Sequence, residues 1–206
     1  MPHSADPAVD PDAGETDVRR VTLANRALGP LAELGYSRST LDELAARSGI
    51  DPADLAGAFT DVTDLATECV RLYKAGCVHR FDEVLEHAPD ARSFESGVAA
   101  VMAVTLRDEG HLHRLWYDLR THAMYDPEFA RSIADIDRSI GAMLLRVVER
   151  FAELRGSQPA AGPEITYAIM DGLFQRALLR YLSGDDGAPE AFAGDIADTL
   201  ILSVRD

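Results

Sequence analysis

GYSRSTLDELAARSGIDPADLAGAFTDVTDL, residues 35–65, parses as two short helices around a tight turn, followed by the start of a third helix. Thr40 with Glu43 three residues on is a capping box, placed ahead of the apolar positions Leu41, Leu44 and Ala45. Ser48-Gly49 stops that helix, because glycine accepts the left-handed conformation a helix end needs. Asp51-Pro52 restarts the chain: aspartate is a good N-cap, and proline is tolerated at the first helical position. Leu55 and Phe59 then share one face at i, i+4 spacing. Asp61 can cap a further helix that begins near Thr63. Two helices joined by a short Gly-containing turn make a helix-turn-helix unit, whose second helix can enter a DNA major groove.

Gly35-Tyr36, Ser39-Thr40, Leu44-Ala45, Gly49-Ile50, Leu55, Phe59 and Leu65 stand at the spacing of the TetR-type bacterial repressors, and the chain resembles that family over this stretch. The resemblance implies an all-α, TetR-like fold, with an N-terminal helix-turn-helix head and a C-terminal helical body for effector binding and dimerisation. It sets the expected boundaries: an acidic, disordered tail over residues 1–16, a DNA-binding-like head over 17–62 and the body over 63–206. The departures from the family pattern are chemical. Asp54 stands where the family usually has a small hydroxyl residue, Ala56 where it has Tyr, Ala58 where it has His or a similar polar residue, and Val62 where it has Lys. In the family several of those side chains touch DNA phosphates.

The charge balance weighs on the same point. The 206-residue chain carries a net charge of −15. Such a protein repels polyanions unless a local basic patch exists. Over residues 18–60 the five arginines (19, 20, 26, 38 and 47) face five acids, Glu33, Asp42, Glu43, Asp51 and Asp54, so the head is neutral. DNA-binding heads are normally positive, because phosphate neutralisation supplies most of the affinity. The best candidates for phosphate contact are Arg38, Ser39, Thr40 and Arg47, with the helix N-terminus at Thr40. Base reading would fall to the helix holding Ala53, Asp54 and Gly57, which carries none of the Arg, Lys, Asn or Gln side chains that read bases bidentately. Helix capping and dipole matching account fully for Asp51 and Asp54.

The remaining chain reads as helices. Val21, Ala24, Leu28, Leu31 and Leu34 give a stripe over 17–34, where Pro30 predicts a kink near Arg26 or a break. One helix is expected over 63–87, one over 93–107 ended by Gly110, and another over 111–124. Asp126-Pro127-Glu128 starts a long helix through Leu154, with the clearest periodicity in the sequence. Residues 156–162 form a loop, and helices follow over 163–183 and 188–204. Met170-Asp171-Gly172-Leu173 resembles the Asp-Gly-Leu common in the penultimate helix of the family. There the last two helices pair with their copies in a second subunit. The resemblance therefore implies a homodimer, with Ile165, Ile169, Leu173, Phe192, Ile196 and Leu200 facing the interface. Packing of the pair within one chain is the alternative.

On the 111–124 helix, His113, Tyr117, Arg120 and Met124 form a polar stripe beside Trp116, with Met102 and Tyr125 near. In the family the corresponding helices wall an effector pocket, and apolar walls with a few polar groups suit a small molecule. Arg120 would hold a carboxylate or phosphate on the effector. The other reading makes Trp116 and Met102 plain core and the stripe surface. Six histidines raise the question of a metal, but no Cys or His set at ligand spacing completes a site, so neither a metal nor a cofactor is expected. Gly-rich phosphate loop, GxSxG and HExxH motifs are all missing, which argues against an enzyme. Cys69 and Cys77 lie about 12 Å apart along one helix, too far for a disulfide. No apolar run reaches the length of a membrane span, and the acidic N-terminus does not read as a signal peptide, so a cytoplasmic location is expected.

Two functions fit. One is a dimeric one-component transcriptional regulator that binds duplex DNA and releases or changes that contact on binding a small-molecule effector. The other is a TetR-fold protein that has lost DNA binding through its acidic recognition helix and serves as a small-molecule binder, a protein partner or an enzyme.

Overall fold

The structure, a computed structural model, describes residues 11–205. The elements among them are helical except for one short bridge, and they divide into two compact units that part between Leu72 and Tyr73.

In the first unit, α1 (Pro11–Leu34) packs on α2 (Leu41–Ser48) and α3 (Pro52–Ala58), and α4 begins at Val62. Residues 11–16, expected in the tail, belong to α1; residues 1–10 of the expected tail lie outside the described residues. The helix does not break at Pro30. The missing backbone bond is outweighed by the burial of Ala27, Leu31 and Ala32, which hold α1 against its neighbours. Leu44, Ala45, Ile50, Leu55, Phe59, Leu65 and Cys69 complete this small core. The Cys69 thiol donates to the carbonyl of Ala24 at 3.2 Å, and burial pushes that thiol up and keeps it protonated.

The capping signals act as their chemistry requires, with one exception. Thr40 Oγ1 accepts from the Glu43 N–H at 3.2 Å, and Asp51 Oδ1 accepts from the Ala53 N–H at 2.8 Å. Gly49 turns the chain with φ 62° and ψ 30°. The capping box is only half made, because the Glu43 carboxylate turns to Arg47 one helical turn on.

The second unit starts in the last turn of α4 (Val62–Cys77) and continues through α5 (Asp82–His87), α6 (Ala91–Ala123), α7 (Pro127–Arg155), α8 (Pro163–Leu182) and α9 (Ala188–Leu202). The single helix expected over 63–87 is thus two. Gly76 weakens helix propagation, and tight i→i+3 turns carry the chain from Gly76 to Asp82. The two helices expected either side of Gly110 are one, kinked at Glu109 (φ −125°, ψ 17°). Gly110 serves close packing there: a Cβ would meet Leu178 at 3.3 Å. Residues 158–159 and 204–205 form a two-stranded antiparallel bridge, β1 and β2, so the last helix ends sooner than its apolar pattern suggests.

α6 packs against α7, α8 and α9. Phe94 stacks on Phe151 at 6.3 Å between centroids, and Phe174 meets Phe192 edge-on at 5.5 Å. Phe192, Ile196 and Leu200 are fully buried in this core, so the expectation that they face a second subunit is corrected. The stripe they form on α9 is the one that covers α6.

One substitution tests the first unit. A Cβ at Gly29, inside α1, would meet nothing within 4 Å. Gly29→Ala should therefore stabilise the protein by about 0.5–1 kcal/mol through lower chain entropy in the unfolded state. Urea unfolding of the two proteins measures it, and an unchanged or lower midpoint would contradict this account of α1.

Candidate functional site

The surface of the helix-turn-helix unit is settled by where its arginines go. Arg19 pairs with Asp54 at 2.5 Å, and Arg47 with Glu43 at 2.7 Å. Arg20 forks onto Asp64, with one bond of 2.7 Å, and lies over the Phe59 ring. Burial alone would push the Asp64 carboxyl up; the bonds from Arg20 and Thr60 outweigh it and hold it below the usual range. Arg26 donates to the carbonyls of Ser48 and Gly49, and Arg38 to that of Leu34. Those two arginines stabilise helix C-termini, where carbonyls lack partners. Ser39 is buried with its hydroxyl donating to the Gly35 carbonyl at 2.9 Å, so it is an internal cap and not an open phosphate contact. On α3, Ala53, Asp54, Ala56 and Gly57 are exposed, and Asp54 is the only one with a polar side chain.

The second unit holds a cavity of about 540 Å³, mouth included. Phe81, Met102, Trp116, Met143, Met170 and Phe174 supply its apolar wall. Its polar groups come from four places in the chain: Lys74 and Cys77 at the end of α4, Arg80 just beyond it, Thr105, His113 and Tyr117 on α6, and Tyr167 and Asp171 on α8. Four of the seven residues expected at an effector site, Met102, His113, Trp116 and Tyr117, therefore line one space. Met124 and Tyr125 do not: they follow the end of α6 and are 75% and 85% exposed.

Arg120 needs a different correction. Its guanidinium donates to Asp171 at 2.6 Å and lies 3.6 Å from Asp137. Two carboxylates already neutralise it, so it is not open to an anionic ligand. Tyr117 also donates to Asp171, at 2.9 Å, and Tyr167 donates to Asp137. Burial, reinforced by the facing Asp171 carboxylate, pushes the Tyr117 phenol up and keeps it a donor.

Lys74 is the residue that the helix-face reading missed. It is the only lysine in the chain and is 5% exposed. Its ammonium lies 3.2 Å from His113 Nδ1 and 5.1 Å from the Trp116 ring centroid. Among the described residues it forms no salt bridge. Burial lowers its pKa to about 8. Burial also drives His113 well down, helped by the charges of Lys74 and Arg80, so the imidazole is neutral and accepts from the ammonium through Nδ1. The proton then sits on Nε2, which is buried without a hydrogen-bond partner. The signal was present in the spacing: Val70, Lys74, Cys77 and Phe81 follow the apolar stripe, which turns Lys74 inward. Arg80 next to it is bound to Glu109, which also accepts from Tyr73 at 2.5 Å. The kink at Glu109 belongs to this arrangement.

A helix-turn-helix unit joined to a helical unit with a part-open cavity defines a one-component regulator class, and the comparisons agree. The model of the BetI-type transcriptional repressor C-terminal domain matches residues 95–203. The chain belongs to the TetR family of transcriptional regulators. Solved structures share its fold at low identity. A TetR-family regulator from Rhodococcus sp. aligns with a TM-score of 0.71 at 16% identity, covering 91% of this chain and 98% of that one. The regulator FadR from Bacillus subtilis, in complex with stearoyl-CoA, gives 0.71 at 14%, covering 89% and 98%. A regulator from Saccharomonospora viridis, in complex with choline, gives 0.70 at 17%, covering 93% and 99%. Comparison with curated proteins found no match. Among the described residues no helix is long and apolar enough to cross a membrane.

The Asp171 network gives a stability test. Asp171→Ala leaves Tyr117 without its side-chain acceptor and Arg120 with only the longer contact to Asp137. It should cost about 2–3 kcal/mol. Arg138→Ala removes an exposed pair with Asp135 and should cost at most about 0.5 kcal/mol. Denaturant unfolding of both variants compares them, and equal losses would reject the network as a structural element.

Proposed function

We propose that the chain acts in the cytoplasm as a dimeric regulator whose grip on duplex DNA changes when a small molecule occupies the cavity of the second unit. The cavity carries the reading: an apolar space with a buried ammonium and an unpartnered imidazole nitrogen, in a domain of the repressor C-terminal type. Such a space suits small-molecule recognition. No catalytic role is needed to account for these groups.

α4 is the element through which occupancy would act. It carries Asp64, which holds Arg20, and it also carries Lys74, which lines the cavity. A ligand that favours one setting of α4 shifts the population of DNA-competent dimers by its differential affinity for the two states. For the dimer, Ile165, Ile169 and Leu179 fall at helical spacing on the exposed side of α8, and Ile201 and Leu202 are exposed on α9. Burial against a second copy is the role we assign to these faces, with Leu173, half-buried on the core, at their edge.

The ligands of the two neighbours differ in charge, and this cavity does not favour a cation. Among the described residues, its one lining carboxylate, Asp171, already serves Tyr117 and Arg120. On the head, Arg38, Thr40 and Arg47 remain the phosphate contacts of the proposal, while Ala53 and Gly57 offer a small surface able to meet thymine methyl groups.

Selection from a random duplex pool at low salt, repeated at about threefold higher salt, tests the function. Enrichment of a palindrome, with affinity falling as salt rises, is expected. A folded dimer that enriches nothing would leave the head a scaffold and the chain a small-molecule binder. Two variants refine the interface. Asp54→Ala removes an anion and releases Arg19, so binding to the selected duplex should tighten a few-fold. Arg38→Ala should weaken binding and reduce the salt slope by about 0.9. Fluorescence anisotropy reads both, and weaker binding by Asp54→Ala would mean the carboxylate makes a productive base contact.

A further inference from the structure

The cavity contains an ammonium that, among the described residues, no carboxylate touches. Lys74 is buried, points its ammonium at a neutral imidazole and an indole face, and has no carboxylate within salt-bridge distance among the described residues. The acids nearest in the fold are committed: Asp171 to Arg120 and Tyr117, Glu109 to Arg80 and Tyr73. His113 lines the same cavity, and its Nε2 is a second polar atom that is buried without a partner. An isolated buried cation is unfavourable unless something brings an anion to it. The apolar walls around it, Trp116, Phe174 and Met170, suit a hydrocarbon body.

We propose that the cavity binds an apolar monocarboxylate, with the carboxylate on the Lys74 ammonium, His113 Nε2–H as a second donor in the same cavity, and the hydrocarbon part against Trp116, Phe174 and Met170. This rests on the reading of the cavity as the effector site. Binding is therefore measured on DNA-free protein, so that its failure leaves the DNA result untouched.

The charge of Lys74 gives the binding a pH signature. The groups that face it are Tyr73 and Cys77 on α4, Arg80 just beyond, His113 and Arg120 on α6, and Asp171 on α8. Tyr73 and Cys77 are raised by burial, and His113 is neutral, so none of these three changes charge near neutrality. Lys74 itself titrates at about 8 in the empty cavity. A bound carboxylate raises that value. Affinity is then full below pH 8 and falls by up to tenfold per pH unit above it, until the pKa of the bound state is passed.

Calorimetry with octanoate, octanol and choline as probes tests the proposal. One octanoate per chain is expected, with octanol and choline at least tenfold weaker. K74M should weaken octanoate roughly 10–100-fold, the range of a charge-assisted hydrogen bond, and leave octanol unchanged. The same variant should melt no lower than the parent, because it removes an unpaired buried charge. The parent alone supplies an independent reading through the fall in octanoate affinity between pH 7 and 9.5. Octanol or choline binding as tightly as octanoate, K74M keeping its octanoate affinity, a flat pH profile, or no octanoate binding at all would each overturn the proposal.

Discussion

The carboxylate of Asp171 holds α8 to α6 by accepting from both Tyr117 and Arg120. Arg120 reaches on toward Asp137 of α7, and Tyr167 of α8 donates to the same carboxylate. Five side chains thus join three helices beside the cavity. Each would be unfavourable alone in a partly buried setting, and each is satisfied by the others. Because the network closes on itself, it fixes the electrostatic character of the space it borders. Its acids are used internally, and none is left to neutralise Lys74.

That asymmetry explains why one wall of the cavity differs from the other. The α6–α8 side is balanced, while the α4 side carries an ammonium whose only hydrogen-bond partner in the described residues is His113. A packed core selected for stability alone would replace Lys74 with an apolar residue of similar length. Trp116 offsets part of the desolvation through its ring face, at 5.1 Å from the ammonium. The remainder is an unfavourable term of the kind that recurs at ligand sites, where local rules of packing are broken for function.

How much of this was legible in the sequence depended on the range of the interaction. Thr40, Gly49 and Asp51 act within a few residues, and their caps form as the sequence implies. No break forms at Pro30, because its local penalty is set against burial that only the packed unit supplies. Glu43 misled because Arg47 competes for the same carboxylate. Helical spacing groups His113 and Tyr117 on α6 beside Trp116, and it took the family resemblance to set them at a pocket; the three line one cavity. Spacing could not show that Asp171, fifty-one positions from Arg120, neutralises it. Nor could the apolar stripe of α9 say whether Phe192, Ile196 and Leu200 would meet α6 or another chain. Periodicity states that a face is buried and leaves its partner open. Lys74 was readable in principle, as a lone lysine inside an apolar stripe.

The head poses the converse problem, because its fold is intact while its charge is spent. Three of its arginines bind carboxylates and two bind helix-end carbonyls. Arg26 and Arg38 keep an unneutralised charge, since a carbonyl supplies a dipole and no formal charge. Phosphate attraction therefore comes from few centres, against the repulsion of a chain at −15. On the proposed reading a single head so constituted would bind weakly, and pairing with a second copy would be the means of binding at all: two weak heads held together gain from the effective concentration of the second contact. Under that regime control does not require a strong head. A ligand that makes simultaneous engagement of two half-sites less favourable removes the avidity, and with it most of the affinity, while leaving each head folded and unchanged.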